Sequence, residues 1–214
     1  MLVIDSVTLS FFGNKVLSNC YLHCERGEVV GLLGRNGSGK SSLLKVIFGS
    51  LPADYKHLRI DDAIISRAYR AGKVAYLPQQ PFWPRHLKVK DLLSGLPQDI
   101  IDELSALENL HITAGHQIEN LSHGEQRILE CLWILHRPAG YILLDEPFSA
   151  IAPIYIEFLQ KVIRERSREK GIILTDHLYR PLLQVADRVV LLHNNSNYRI
   201  QEPADLIRFN YLPE

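Results

Sequence analysis

Apolar residues along this chain gather in short runs, and the spacing inside each run predicts its element. Leu2–Leu9 and Val16–Cys24 are apolar-rich and flank Phe11-Phe12-Gly13-Asn14-Lys15, a turn signal, so they predict a β-hairpin. Glu28–Leu33 is a short apolar run ending at a glycine-rich stretch. Leu43, Leu44 and Ile47 within Ser41–Phe48 then keep helical spacing, which makes the order strand, loop, helix. Leu58–Ser66 and Lys73–Leu77 predict further strands. In Glu125–His136, Ile128, Leu129, Leu132 and Leu135 recur at helical spacing, and Pro138 and Gly140 stop that helix. Tyr141–Leu144 and Gly171–Thr175 are unbroken apolar runs of strand length, the pattern of parallel strands buried on both faces. Between them Ile154, Phe158, Leu159, Val162 and Ile163 predict one face of a helix whose other face carries Glu157, Lys161, Arg164 and Glu165. Arg188–Leu192 predicts one more strand.

This alternation predicts an α/β fold with a β-rich start and a helical insertion. Gln79–Leu121 is the least regular stretch, interrupted by Pro81, Pro84 and Pro97 around short helical patterns such as Asp99–Leu110. The insertion is expected over about residues 80–138 of a single domain covering 1–214. A chain of 214 residues suffices for one full core and is too short for two domains of ordinary size.

Composition narrows the partners. Lys+Arg and Asp+Glu both number 24, so the balanced charge gives no overall pull toward nucleic acid, and no nucleic-acid partner is expected. Cys20, Cys24 and Cys131 show no ligand spacing and read as small buried apolar thiols, which suits the reducing cytosol. The N-terminus lacks a signal-peptide pattern. Apolar runs such as Ile128–Leu135 fall far short of the ~20 residues that span a bilayer, so work at a membrane would need another chain to supply the crossing.

Gly34-Arg35-Asn36-Gly37-Ser38-Gly39-Lys40-Ser41-Ser42 fits the P-loop pattern between a strand and a helix. Its glycines let backbone N–H groups turn inward around a phosphate, and the helix that follows points its positive end there. Lys40 has the reach for β- and γ-phosphates, and the Ser41 hydroxyl is a ligand for Mg²⁺. Tyr141-Ile142-Leu143-Leu144-Asp145-Glu146 is a strand that ends in two carboxylates, Asp145 for the metal and Glu146 for the attacking water. His177 follows another strand end and can donate a hydrogen bond to the γ-phosphate.

In this order the motifs resemble the ATP-binding cassette family over nearly the whole chain. Tyr76-Leu77-Pro78-Gln79 is similar to its glutamine loop, Leu121-Ser122-His123-Gly124-Glu125 to its LSGGQ signature, Asp145-Glu146-Pro147 to its Walker B motif and Thr175-Asp176-His177 to its switch histidine. The residues after Glu146 and around His177 most resemble the branched-chain amino acid and lipopolysaccharide-export ATPases. The resemblance implies a P-loop NTPase core with a mainly parallel sheet, an N-terminal antiparallel β subdomain and a small helical subdomain. It implies ATP and Mg²⁺, the metal held by Ser41, Gln79 and Asp145, with Glu146, His177 and Gln79 as the catalytic group. It further implies a head-to-tail dimer, homo- or heteromeric, in which Ser122, His123, Gly124 and Glu125 contact the nucleotide on the other subunit. Phe12 is the expected adenine-stacking aromatic. Transmembrane permease subunits are the expected partners, with this chain peripheral on the inner face of the membrane. Phe82 and Trp83, bulky residues among prolines just after Gln79, are expected to dock on that partner. A soluble relative acting on protein partners, as in iron–sulfur cluster assembly, and a nucleotide-binding module with little hydrolysis are the alternatives. His123 and Glu125 depart from the usual signature, and Ala152 stands where the family has an aspartate that bonds across the dimer.

Overall fold

The N-terminal hairpin forms as β1 (Leu2–Phe11) and β2 (Asn14–Cys24) in the computed structural model, which describes residues 1–108 and 110–212. β1 also pairs antiparallel with β4 (Tyr55–Ile60), and β5 (Ala63–Ile64) closes this sheet in the order β2-β1-β4-β5. The single strand expected over Leu58–Ser66 is therefore two. Asp61 and Asp62 both adopt left-handed backbone, φ 48° and 66°, which is what a two-residue hairpin turn requires, and Arg59 pairs back onto Ile64.

The second sheet runs β10 (Ser196–Ile200), β9 (Arg188–His193), β3 (Val29–Gly34), β8 (Gly171–Thr175), β7 (Tyr141–Asp145), β6 (Val74–Leu77). Neighbours are parallel except β10 on β9. Successive side chains of its central strands go to opposite faces and meet two different cores. Val30, Leu32, Leu143 and Ile173 pack with α1 (Lys40–Phe48) and with Leu2, Ile4 and Val7 of the antiparallel sheet. Val29, Leu33, Ile142, Leu144, Ile172 and Leu174 pack on the opposite side with α4 (His123–Leu135), α5 (Pro153–Ser167) and α6 (Tyr179–Val185). Apolar cover on both faces is why these strands read as unbroken hydrophobic runs.

Between β6 and β7 the described residues form α2 (Val89–Leu93), α3 (Gln98–Ser105), a 3₁₀ turn at Ile118–Asn120 and α4. The helix expected over Asp99–Leu110 stops at Ser105, and Asn109 lies outside the described residues. In α5 the buried stripe is Ile156, Phe158, Leu159, Val162 and Ile163, while Ile154 is 60% exposed. At about 100° per residue these five buried positions span an arc of about 160°, and Ile154 lies about 40° beyond the Phe158 edge of that arc, on the solvent side. The chain ends in α7 (Pro203–Arg208). All three cysteines are buried and free, and burial pushes the Cys131 thiol up to about 12. Among the described residues no helix is long and apolar enough to cross a membrane.

Candidate active site

The loop from Gly34 to Gly39 joins the end of β3 to α1 in the middle of the parallel sheet. Gly39, at φ 100°, caps α1 without a side-chain bond, so the first N–H groups of the helix are left for a ligand in the loop. Lys40 folds back over the loop and donates from Nζ to the carbonyls of Gly34 and Arg35, at 2.8 and 3.2 Å. Burial lowers its pKa, and the carboxylates of Glu146, Asp145 and Asp176 oppose that shift. A cleft of about 600 Å³ opens here, walled by Asn36, Gly37, Gly39, Lys40, Ser41 and Ser42 on the loop side and by Gln79, Glu146 and His177 opposite. Arg35 points elsewhere, donating from Nη2 to the Asn210 carbonyl at 2.6 Å. The Ser38 hydroxyl is buried within the loop without a hydrogen-bond partner among the described residues.

Opposite the loop, strand ends deliver the acids. Asp145, last residue of β7, accepts from the Ser41 hydroxyl on Oδ1 and from the Tyr76 hydroxyl on Oδ2, both at 2.9 Å. Burial raises its pKa and these two bonds oppose the rise. Glu146 follows at φ 56°, a strained backbone for a non-glycine residue, and lies on the cleft. Its Oε2 accepts from Gln79 Nε2 at 3.0 Å and stands 3.7 Å from His177 Nδ1. Asp176 is fully buried and accepts from the backbone N–H of Phe148 and of Leu178, at 2.9 and 2.8 Å, which fixes the turn that presents His177.

Ser122 and Glu125 form a capping box on α4: Glu125 N–H donates to Ser122 Oγ at 3.2 Å and Ser122 N–H to Glu125 Oε2 at 2.8 Å. The other oxygen of Glu125 accepts from His111 N–H at 2.8 Å. Gly124 has to be glycine, because a Cβ there would sit 2.6 Å from the Ala150 carbonyl oxygen. Ser122, exposed His123, Gly124 and Glu125 line a separate cleft of about 480 Å³ together with Ala150 and Ala152. The two clefts share no lining residue, so one chain does not bring its signature to its own P-loop.

One assignment is corrected. Phe12, expected over adenine, sits at the hairpin turn at φ 49°, fully exposed at 105%, and does not line the cleft. Phe11 and Val16 supply that wall instead. Phe11 is the last residue of β1, and the left-handed turn at Phe12 carries the second ring out into solvent. Tyr76, Arg127 and Asp176 join the site through their contacts with Asp145, Glu146 and Phe148, beyond the roles expected from the sequence. Tyr76 gives no more signal than a phenol in an apolar strand, Asp176 lies between Thr175 and the switch histidine, and Arg127 follows Glu125 and Gln126 on the polar start of α4, where a charge is unremarkable.

The donor set fits a nucleotide with its metal. Hydroxyl, carboxylate and amide oxygens from Ser41, Asp145 and Gln79 are the hard ligands that Mg²⁺ takes. Lysine, serine hydroxyls and helix N–H groups supply positive and donor character for phosphate.

Comparison with known proteins agrees. A family model described as ABC transporter matches residues 17–149. A probable ABC transporter ATP-binding protein of Azorhizobium caulinodans is 32% identical over 213 residues, covering 92% of this chain and 76% of that protein. The lipopolysaccharide export system ATP-binding protein LptB of Escherichia coli is 31% identical over 226 residues, covering 97% of this chain and 92% of LptB. MJ1267, an ATP-binding cassette of an ABC transporter, superposes with a TM-score of 0.80 over 99% of this chain and 98% of its own, at 20% identity, which speaks for the fold alone. Such relatives favour the transport reading over a soluble ATPase acting on protein partners. With its P-loop, paired strand-end acids and signature in the order described, the chain belongs to the ABC transporter family, as an ATP-binding subunit that hydrolyses ATP.

Proposed function

We propose that ATP binds in the P-loop cleft with Mg²⁺ and that a second copy of this subunit closes over it, driving a separate membrane-spanning permease from the cytoplasmic face. One observation carries the reading: the P-loop and the signature line two different clefts, each holding half of the groups that ATP hydrolysis needs. A head-to-tail pair makes both halves whole.

The loop's N–H groups and Lys40 cradle the phosphates. Ser41, Gln79 and Asp145 would hold Mg²⁺, which supplies positive charge against the β- and γ-phosphate oxygens. Glu146 orients and deprotonates the attacking water, held in aim by Gln79. His177 donates to the γ-phosphate. From the second copy, Ser122 and the Gly124 backbone meet the same phosphate. Glu125 acts within its own chain, since the capping box and the His111 N–H occupy its carboxylate. Ala152 has no side-chain group to bond across the interface.

The exposed Phe82 is the proposed anchor for the permease. Nothing in the balanced charge supports a nucleic-acid partner. Sedimentation of the Glu146→Gln protein tests the pairing. Monomer without nucleotide, dimer with ATP, and monomer again when Ser122→Arg is added are expected; a monomer at saturating ATP contradicts it.

A further inference from the structure

Arg127 stands at a junction that the ATPase motifs do not account for. It lies on the second turn of α4, 5% exposed, and its guanidinium touches two separate segments of the site. Nη1 donates to the Pro78 carbonyl at 2.7 Å, next to Gln79. Nε and Nη2 donate to the Glu146 carbonyl at 3.3 and 3.1 Å, and Nη2 also to that of Asp145. Glu130, one turn on and fully buried, pairs with Nη1 at 3.3 Å. Its Oε1 accepts from the Phe82 backbone N–H at 3.2 Å.

These contacts do more than fill space. Glu146 holds a costly left-handed backbone, and such a residue persists only where its surroundings over-determine it. Its N–H donates to Thr175 and its carbonyl accepts from Ser149, while Arg127 fixes that carbonyl from a third direction. A guanidinium is moreover a rigid planar fork, so bonding carbonyls of both segments to one plane fixes their relative position. Apolar residues would fill the same volume without the desolvation cost of a buried ion pair, which points to a role beyond stability.

We propose that Arg127 is the positioning residue of this ATPase: it locks the backbone of Asp145–Glu146 to that of Pro78, so the Glu146 carboxylate and the Gln79 amide keep their contact. Glu130 extends the same hold to Phe82. The proposal rests on Glu146 being the base. α4 stays anchored without the pair, because Ile128, Leu129, Leu132 and Leu135 are all buried in the core.

The test is Arg127→Lys in the full chain, with turnover expressed per nucleotide site titrated by a non-hydrolysable ATP analogue. Affinity for the analogue should stay within about twofold while turnover per site falls about tenfold or more, the split of a group that acts in the transition state. In a Glu146→Gln background the same change should cost less than about twofold, because the two act as one unit. A purely structural role would lower the number of titrated sites and leave turnover per site at wild-type level, which overturns the proposal. So would two losses that simply multiply. Should Glu146→Gln alone turn over normally, the base assignment fails and takes this proposal with it, a result distinct from the other two. If Arg127→Lys does not fold, Arg127→Met with Glu130→Leu removes both buried charges together and is measured the same way, with the same outcomes deciding.

Discussion

Ser41 and Asp145 lie 104 positions apart in sequence and share a hydrogen bond of 2.9 Å, from the serine hydroxyl to Asp145 Oδ1. That bond joins the helix after the phosphate loop to the strand that ends in the acids, so a hydroxyl and a carboxylate already face one point. On the proposed reading that point is the metal position. Ser41→Ala should leave nucleotide affinity within about twofold when Mg²⁺ is chelated and lower it about tenfold when Mg²⁺ is present, the worth of one lost ligand in a site of few. Titration with a fluorescent ATP analogue, with and without EDTA, measures both. An equal loss in both conditions would remove Ser41 from the metal site.

Lys40 makes the complementary prediction. Its ammonium is buried among loop carbonyls and near three carboxylates, and on the proposed reading it meets the phosphates. Lys40→Ala should weaken binding of ATP more than tenfold with or without metal, since a direct charge partner is lost. Calorimetric titration showing unchanged affinity would contradict this.

The two neighbouring aromatic rings should behave differently. Phe11 walls the cleft and Phe12 projects into solvent. Phe11→Ala should weaken ATP binding about fivefold or more, as expected for a ring contact worth ~1 kcal/mol, whereas Phe12→Ala should change it by less than about twofold. The reverse order of effects would restore Phe12 as the stacking residue.

Phe82 is 39% exposed and leans on Trp83 with ring centroids 5.3 Å apart, while Trp83 packs edge-on against Trp133 at 5.9 Å. Trp83 thus packs on this chain's own core, and Phe82 is the more exposed ring, proposed as the anchor for the permease. Phe82→Ala should keep ATP turnover of the isolated subunit within about twofold and cut retention of the permease in a pull-down well over tenfold, as loss of an anchor worth ~2 kcal/mol would. Full retention of the permease would exclude the docking role.

Away from the cleft, Asp61 is one carboxylate that ties stability to pH. Burial alone would raise its carboxyl, but hydrogen bonds from Tyr141 and Arg26 outweigh that and hold it at about 2. Because the folded value lies below the unfolded one of ~3.9, the stabilisation is present above about pH 4 and is lost as pH falls toward 2. Asp61→Asn should cost about 1–2 kcal/mol at pH 7, and the gap in urea midpoints between the two proteins should close on acidification through that window. A gap that widens at low pH would contradict the assignment.

How much of this was legible in the sequence differs by element. The central strands and α4 were readable because burial on both faces of a sheet, or on one face of a helix, leaves an unbroken or 3.6-residue apolar pattern. β10, with sequence Ser-Asn-Tyr-Arg-Ile, carries no such pattern because it is an edge strand. What announces it is the turn before it, where Asn194 and Asn195 both have positive φ, the same device as Asp61-Asp62 between β4 and β5. The P-loop and the strand-end acids were legible because their chemistry is local in sequence. Arg127 was not, since its partners are backbone carbonyls of residues 49, 18 and 19 positions away, which no side-chain pattern records.

On the proposed function Glu146, aimed by Gln79 and next in sequence to Asp145, performs the chemistry of ATP hydrolysis in this cleft. Steady-state phosphate release from the wild-type and Glu146→Gln proteins at saturating Mg²⁺ and ATP tests it most directly. Glu146→Gln should bind ATP with wild-type affinity and release phosphate about a hundredfold more slowly or worse, the scale of a lost general base. Phosphate release at near the wild-type rate would contradict it.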